Sequence, residues 1–290
     1  MATARDWLKS TPLYILPHHW VSRVVYWATR QQAKWVPSVI KWFVRTYNVD
    51  MSQAQHSDIN HYPTFNAFFT RSLKDGARPA CDHDSDIASP ADGRISAIGN
   101  IENGTVYQAK GRDYSLLELL GGDTEAAAKL ANGRFVTVYL SPRDYHRLHM
   151  PLTGKLLNQT HVPGRLFSVA PHTVNTVPRL FARNERVIAQ FDTNAGLMAL
   201  VLVGAINVAA IETVWSGLVT PPQKKHINRI DYTGDEQVSL RRGEEMGRFN
   251  MGSTIIVLLE NPARWRLDMQ NGDSLNMGQL LGHIADRTVA

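Results

Sequence analysis

From Gly76 onward the chain alternates short apolar runs with Gly, Pro and Asp turns, and this limits its fold to a body built largely of strands. The runs at 93–98, 135–140, 187–191, 197–203 and 255–259 are each of strand length and rich in Val, Ile and Leu. The most apolar stretch, 196–206, is far shorter than the roughly 20 residues a spanning helix needs. It is rich in Val and Leu and broken by Gly204, so it reads as a buried strand. One helix is predicted inside this body, near 124–131. With 290 residues the chain can bury a sizeable core.

The first 50 residues have a different texture. Pro12, Pro17 and Pro37 divide them into two or three short helices. Trp20, Val24 and Trp27 share one helical face, and Val36, Ile40 and Phe43 share another. Residues 1–45 hold seven basic side chains and one acidic one, and five of the seven tryptophans. Trp suits a lipid–water boundary, and Lys and Arg suit anionic headgroups. The alternatives are a helical pair with Trp as core filler, or a single-stranded nucleic-acid site. The last ranks lowest, because the charge sits on helices. A short helix is expected around Phe65, Phe68 and Phe69. The expected organisation is an amphipathic helical region, 1–60, then a mainly β body, 61–290.

Cys81 is the single cysteine, which excludes an intrachain disulfide and fits a reducing compartment. The early run 13–16 is closed by Pro17 and is too short for a secretory signal.

Three segments carry chemistry. Met251-Gly252-Ser253-Thr254 precedes the apolar run 255–259. Glycine allows close approach to its carbonyl, and the next hydroxyl can attack that carbonyl in an N-to-O acyl shift. β-Elimination then breaks the chain and leaves dehydroalanine, which hydrolyses to a pyruvoyl group. Read alone, the same residues form a Gly-Ser turn entering a strand. His146 and His149, spaced to share a face of a turn or short helix, suit proton transfer near neutral pH. With His161, His172 or Asp144 they also suit a metal. Asp92, in Ser89-Pro90-Ala91-Asp92-Gly93-Arg94, caps a tight turn or orients a base. A serine hydrolase would use the same residue types, but Ser253 lacks a nucleophile-elbow pattern.

Further segments fall in a familiar order. They are Phe65-Asn66 onward to Pro79, Asp144-Tyr145-His146-Arg147 with His149, and 163–169 (Pro-Gly-Arg-Leu-Phe-Ser-Val). Asn184-Glu185-Arg186-Val187, Val203-Gly204-Ala205 with Asn207-Val208, and Gly243 to Phe249 leading into Gly252-Ser253-Thr254 follow. Over residues 60–262 the chain resembles the phosphatidylserine decarboxylase family. Met251 stands where the family most often has Leu, and Ala209 where Gly is common; neither touches the chemistry.

The resemblance implies an α+β fold with a mainly antiparallel, β-sandwich-like catalytic body, and a self-cleaving precursor with a triad of Asp92, His149 and Ser253. His149 would take the Ser253 proton, and Asp92 would hold its tautomer. The cut between Gly252 and Ser253 would leave a large chain, 1–252, and a small chain, 253–290, that begins with the pyruvoyl cofactor. That group would form a Schiff base with phosphatidylserine and release carbon dioxide, giving phosphatidylethanolamine. The returning proton would come from His146 or His149, with His146 favoured, and Ser168 would contact the substrate; no metal is implied. The expected partners are membrane phospholipid and the chain's own two pieces, with a homodimer left open and no nucleic acid. The expected location is peripheral, on the cytoplasmic face of a bacterial membrane.

Overall fold

A computed structural model describes residues 3–78, 81–109, 112–206, 210–221, 225–260, 263–266 and 268–284. The readings on Pro79, Asn207, Val208 and Ala209 fall outside these residues. Among the described residues the largest sheet has nine strands. Its order runs Asn228–Asp231, Gly154–Val162, Arg186–Thr193, Gly196–Val203, Thr254–Leu259, Arg134–Tyr139, Gly93–Asn100, Ser274–Leu275. Ser239–Leu240 adds to the outer side of Gly154–Val162. Each pairing is antiparallel.

The strand predicted at 255–259 occupies the interior of this sheet. Ile256 pairs with Thr137 on one side and Val201 on the other. All six residues of Thr254–Leu259 are buried, which is why the run is continuously apolar and does not alternate. The strands predicted at 93–98, 187–191 and 197–203 also form, extended by one to three residues, and that at 135–140 forms one residue earlier, at Arg134–Tyr139. The helix predicted near 124–131 is Thr124–Leu130, capped by Asp123. Short helices at Leu116–Leu119, Pro171–Thr176 and Leu180–Arg183 accompany it; they are too brief for periodicity to announce.

A second sheet of Gly217–Thr220, Ile211–Thr213, Glu245–Phe249 and Arg147–His149 sets the two histidines' segment against the approach to Gly252-Ser253. Gly247 is required there, since a Cβ would lie 2.3 Å from the Glu212 carbonyl oxygen.

The amino-terminal region forms the helices Ala4–Ser10, His18–Ala28 and Val36–Tyr47. Val36, Ile40 and Phe43 turn inward onto Val49, Tyr62, Phe65, Phe68 and Phe69 in a second core, and Met251 packs against it. Thr64 caps the short helix Phe65–Phe69. The other face stays outside: Trp20 is 67% exposed and Trp27 65%. Trp7, Trp35 and Trp42 are exposed as well, which overturns the alternative of Trp as core filler. Ala4–Ser10 lies against Pro171–Thr176, tied by a hydrogen bond from Thr176 Oγ1 to Ser10 Oγ at 2.7 Å. Among the described residues no helix is long and apolar enough to cross a membrane.

Candidate active site

Ser253 is fully buried at the entry to the central strand. Its carbonyl accepts from the Leu140 amide at 2.9 Å, which continues the sheet ladder past Tyr139. Its Oγ has no hydrogen-bond partner among the described residues. A buried hydroxyl left unpaired costs free energy, and Thr137 and Thr254 share that state; what sets Ser253 apart is its place directly after Gly252, beside His146. A group made by removing that hydroxyl would break no hydrogen bond, so the residues present fit a cofactor derived from Ser253.

His146 lies beside Gly252. A Cβ built on Gly252 would stand 3.6 Å from His146 Nε2 and 3.4 Å from the Leu140 carbonyl oxygen. The Nδ1–H of His146 donates to the Asp144 carbonyl at 2.8 Å, which leaves Nε2 as a bare acceptor. Nε2 is buried and, among the described residues, unpartnered. Burial, aided by the charge of Arg71, pushes this imidazole down to about 3. It is therefore neutral at physiological pH. Phe69 packs on its ring at 4.1 Å, so the helical core bounds the site.

His149 is held differently. Its Nδ1–H donates to the Gly243 carbonyl at 2.8 Å, and Nε2 accepts from the Tyr145 hydroxyl at 3.1 Å. Burial holds it below the ordinary imidazole range and raises the Tyr145 hydroxyl. Two expectations are corrected here. Arg147–His149 is a strand, not a turn or helix, so the pair does not share a helical face. Nor does Asp92 touch His149: its carboxylate takes Arg78 at 2.8 and 2.6 Å and the Met277 amide at 2.8 Å. The Gly243 carbonyl, not Asp92, sets the tautomer of His149. Asp92 still lies beside it through the backbone, because the His149 amide donates to the Pro90 carbonyl at 2.9 Å. Gly93 lets that turn lie flat, since a Cβ there would meet the Tyr139 carbonyl at 2.3 Å.

Ser168 and Gly252 line one cavity of about 180 Å³, with Phe43, Tyr47, Tyr139 and Met251 on its walls. The loop carrying Ser168 is fixed by Asn184, whose Nδ2 donates to the Phe167 and Gly204 carbonyls, both at 2.8 Å. That accounts for two of the quoted segments structurally. His161 is elsewhere, paired with Glu185 at 2.9 Å. Among the described residues no group of three or more His, Cys, Asp or Glu could hold a metal ion. Sequence reasoning gave Tyr145, Arg78 and Gly243 no role. Tyr145 was visible inside the quoted motif. Arg78 and the Gly243 carbonyl carry no local mark.

An antiparallel α+β body with an unpaired serine behind a glycine defines a class of candidate self-processing enzymes. The comparisons narrow it. The family model described as phosphatidylserine decarboxylase matches residues 65–283, and one described as PSD matches 8–48. The phosphatidylserine decarboxylase proenzyme of Alkalilimnicola ehrlichii is 57% identical over 89% of this chain and 90% of its own. That of Methylococcus capsulatus is 53% identical, over 93% and 94%. That of Pseudomonas aeruginosa is 56% identical, over 84% and 86%. The chain belongs to the phosphatidylserine decarboxylase family of carboxy-lyases.

Proposed function

We propose that this chain cuts itself between Gly252 and Ser253 and then decarboxylates phosphatidylserine to phosphatidylethanolamine and carbon dioxide. The observation that carries the reading is the pair of buried, unpartnered atoms, Ser253 Oγ and His146 Nε2, on either side of Gly252. Oγ attacks the Gly252 carbonyl carbon, and the amide becomes an ester. Loss of the Ser253 Cα proton expels the Gly252 carboxylate from Cβ. Water then converts the dehydroalanine to a pyruvoyl group and ammonia.

The pyruvoyl group supplies an electrophilic carbonyl that takes up the substrate amine and withdraws electrons from the carbon losing carbon dioxide. The chain's own residues do the rest. Ser168 contacts the headgroup from the cavity wall. Phe69 and Met251 keep water from the reacting carbon. His146 Nε2, a bare acceptor at rest, would take a proton from the incoming substrate ammonium and return it to the product. Asp92, His149 and Ser253 form the processing set, with His149 taking the Ser253 proton. Asp92 acts as a positioning residue through its turn.

One observation favours a second reading of the processing base. His146, not His149, has its free Nε2 beside Gly252. His146→Ala and His149→Ala separate the two. The variant that stays whole on a denaturing gel has lost the base, and the variant that is cut but inactive has lost the later proton donor.

The exposed tryptophans and the basic excess of residues 1–45 support peripheral attachment to an anionic bilayer, on the cytoplasmic face of a bacterial membrane. The two pieces, 1–252 and 253–290, stay together because the second begins inside the central sheet. Intact mass under denaturing conditions tests the whole reading. The expected result is two species dividing at Gly252, the smaller blocked by a pyruvoyl mass. One uncut chain in folded wild-type protein would overturn it.

A further inference from the structure

Beside the active-site cavity lies a larger groove of about 620 Å³ whose function the site chemistry leaves unexplained. The two share Tyr139 and Val169 as a common wall. The groove floor is apolar, with Val169 and Val174 buried, and its lip is formed by exposed Tyr107 and Pro171. Two arginines, Arg94 and Arg143, line it, and among the described residues no acidic side chain does. Both are exposed, and the Arg94 side chain makes no ion pair among the described residues. Arg143 lies 3.7 Å from Asp144, a loose pairing. Both arginines also line a neighbouring cavity with Asp50, Asp92 and Asp144, and an apolar trough with cationic side chains on its own margin is complementary to an anionic amphiphile.

We infer that this groove is the lipid subsite of the enzyme, with Arg94 and Arg143 holding the phosphodiester and the apolar floor holding one acyl chain. The inference rests on the decarboxylase reading and deepens it. Only a few bonds separate the amine of a phosphoserine headgroup from its phosphorus. Pro142 lines the active-site cavity while its neighbours Ser141 and Arg143 line the groove, so the turn at 141–143 spans the two. The far wall of the groove is the helix Pro171–Thr176, which carries Val174 and Asn175 and is bonded to the helix that bears exposed Trp7. A chain leaving a bilayer beside the amino-terminal helices thus meets the groove before the reacting centre.

The test uses the full-length, self-processed protein with two substrates of one headgroup, dioleoyl- and dihexanoyl-phosphatidylserine, in mixed detergent micelles. Ala109→Trp fills the groove from one wall and Asn175→Trp from the other, and retained self-cleavage reports that each variant folds. The expected result is a fall in kcat/KM on the long-chain lipid of about tenfold or more, with the short-chain lipid changed by less than about threefold. Arg94→Gln and Arg143→Gln raise KM about tenfold on both lipids, with kcat nearly unchanged. Equal losses on both lipids in the Trp variants, or no loss on either, would overturn the groove as acyl subsite. An unmoved KM in the Arg variants would overturn the phosphate contact. Processed wild type that turns over neither lipid would instead sink the decarboxylase reading, and the inference with it.

Discussion

The central strand and the amino-terminal helices spend their apolar side chains in opposite ways. Thr254–Leu259 buries every residue between two neighbouring strands. The helices hide Val36, Ile40 and Phe43 yet leave Trp7, Trp20, Trp27, Trp35 and Trp42 outside. The first arrangement maximises removal of apolar area from water. The second forgoes it at the side chains with the most to gain, which makes sense when another apolar phase covers them. One region is built to hold itself together and the other to meet something.

The sharpest break of this contrast is Ser253→Ala. It removes all processing and all decarboxylation, read by intact mass and by carbon dioxide release. Folding stability stays level or rises, because the lost hydroxyl has no partner. Next is Leu258→Ala in the central strand, which destabilises by about 2–5 kcal/mol in urea titrations.

Acid acts on the same interior. His146 is held at about 3 when folded and returns to about 6.5 when unfolded. Between those values the unfolded chain binds the extra proton, so stability is full above the upper value and falls as pH drops through the window. His146→Gln should flatten that slope, measured as the urea midpoint against pH; an unchanged slope would mean the ring is solvated. The smallest effect on folding is Trp20→Ala with Trp27→Ala, within about 0.5 kcal/mol per site. The same pair should clearly reduce co-sedimentation with anionic liposomes. Undiminished binding would remove the membrane role of that face.

The strands were legible because two-sided burial selects continuous Val, Ile and Leu runs, and turns punctuate them. The helical faces were legible from spacing, but spacing does not say what covers a face. Val36 and Trp20 lie on faces of the same kind and end in opposite environments. The candidate residues Ser253, His146, His149 and Asp92 were visible as residue types, but their pairings were not. His149 is fixed by the carbonyl of Gly243, and every residue has a carbonyl. Asp92 is held by Arg78 across a fold that brings distant turns together. The spacing of His146 and His149 suggested a turn because strand pairing with Glu245–Phe249 is set by partners far along the chain.

The position of Ser253 at the mouth of an interior strand has a consequence for the enzyme's lifetime. Before the cut, folding is the reaction of one molecule with itself. If the chain is cut as proposed, the interior strand Thr254–Leu259 would belong to a separate polypeptide, and unfolding would release it. Recovery then depends on two pieces meeting, so its rate falls with dilution. On the proposed processing, each copy would make its cofactor once, while its sequence is still continuous, and would recover from denaturation more slowly the more dilute it is.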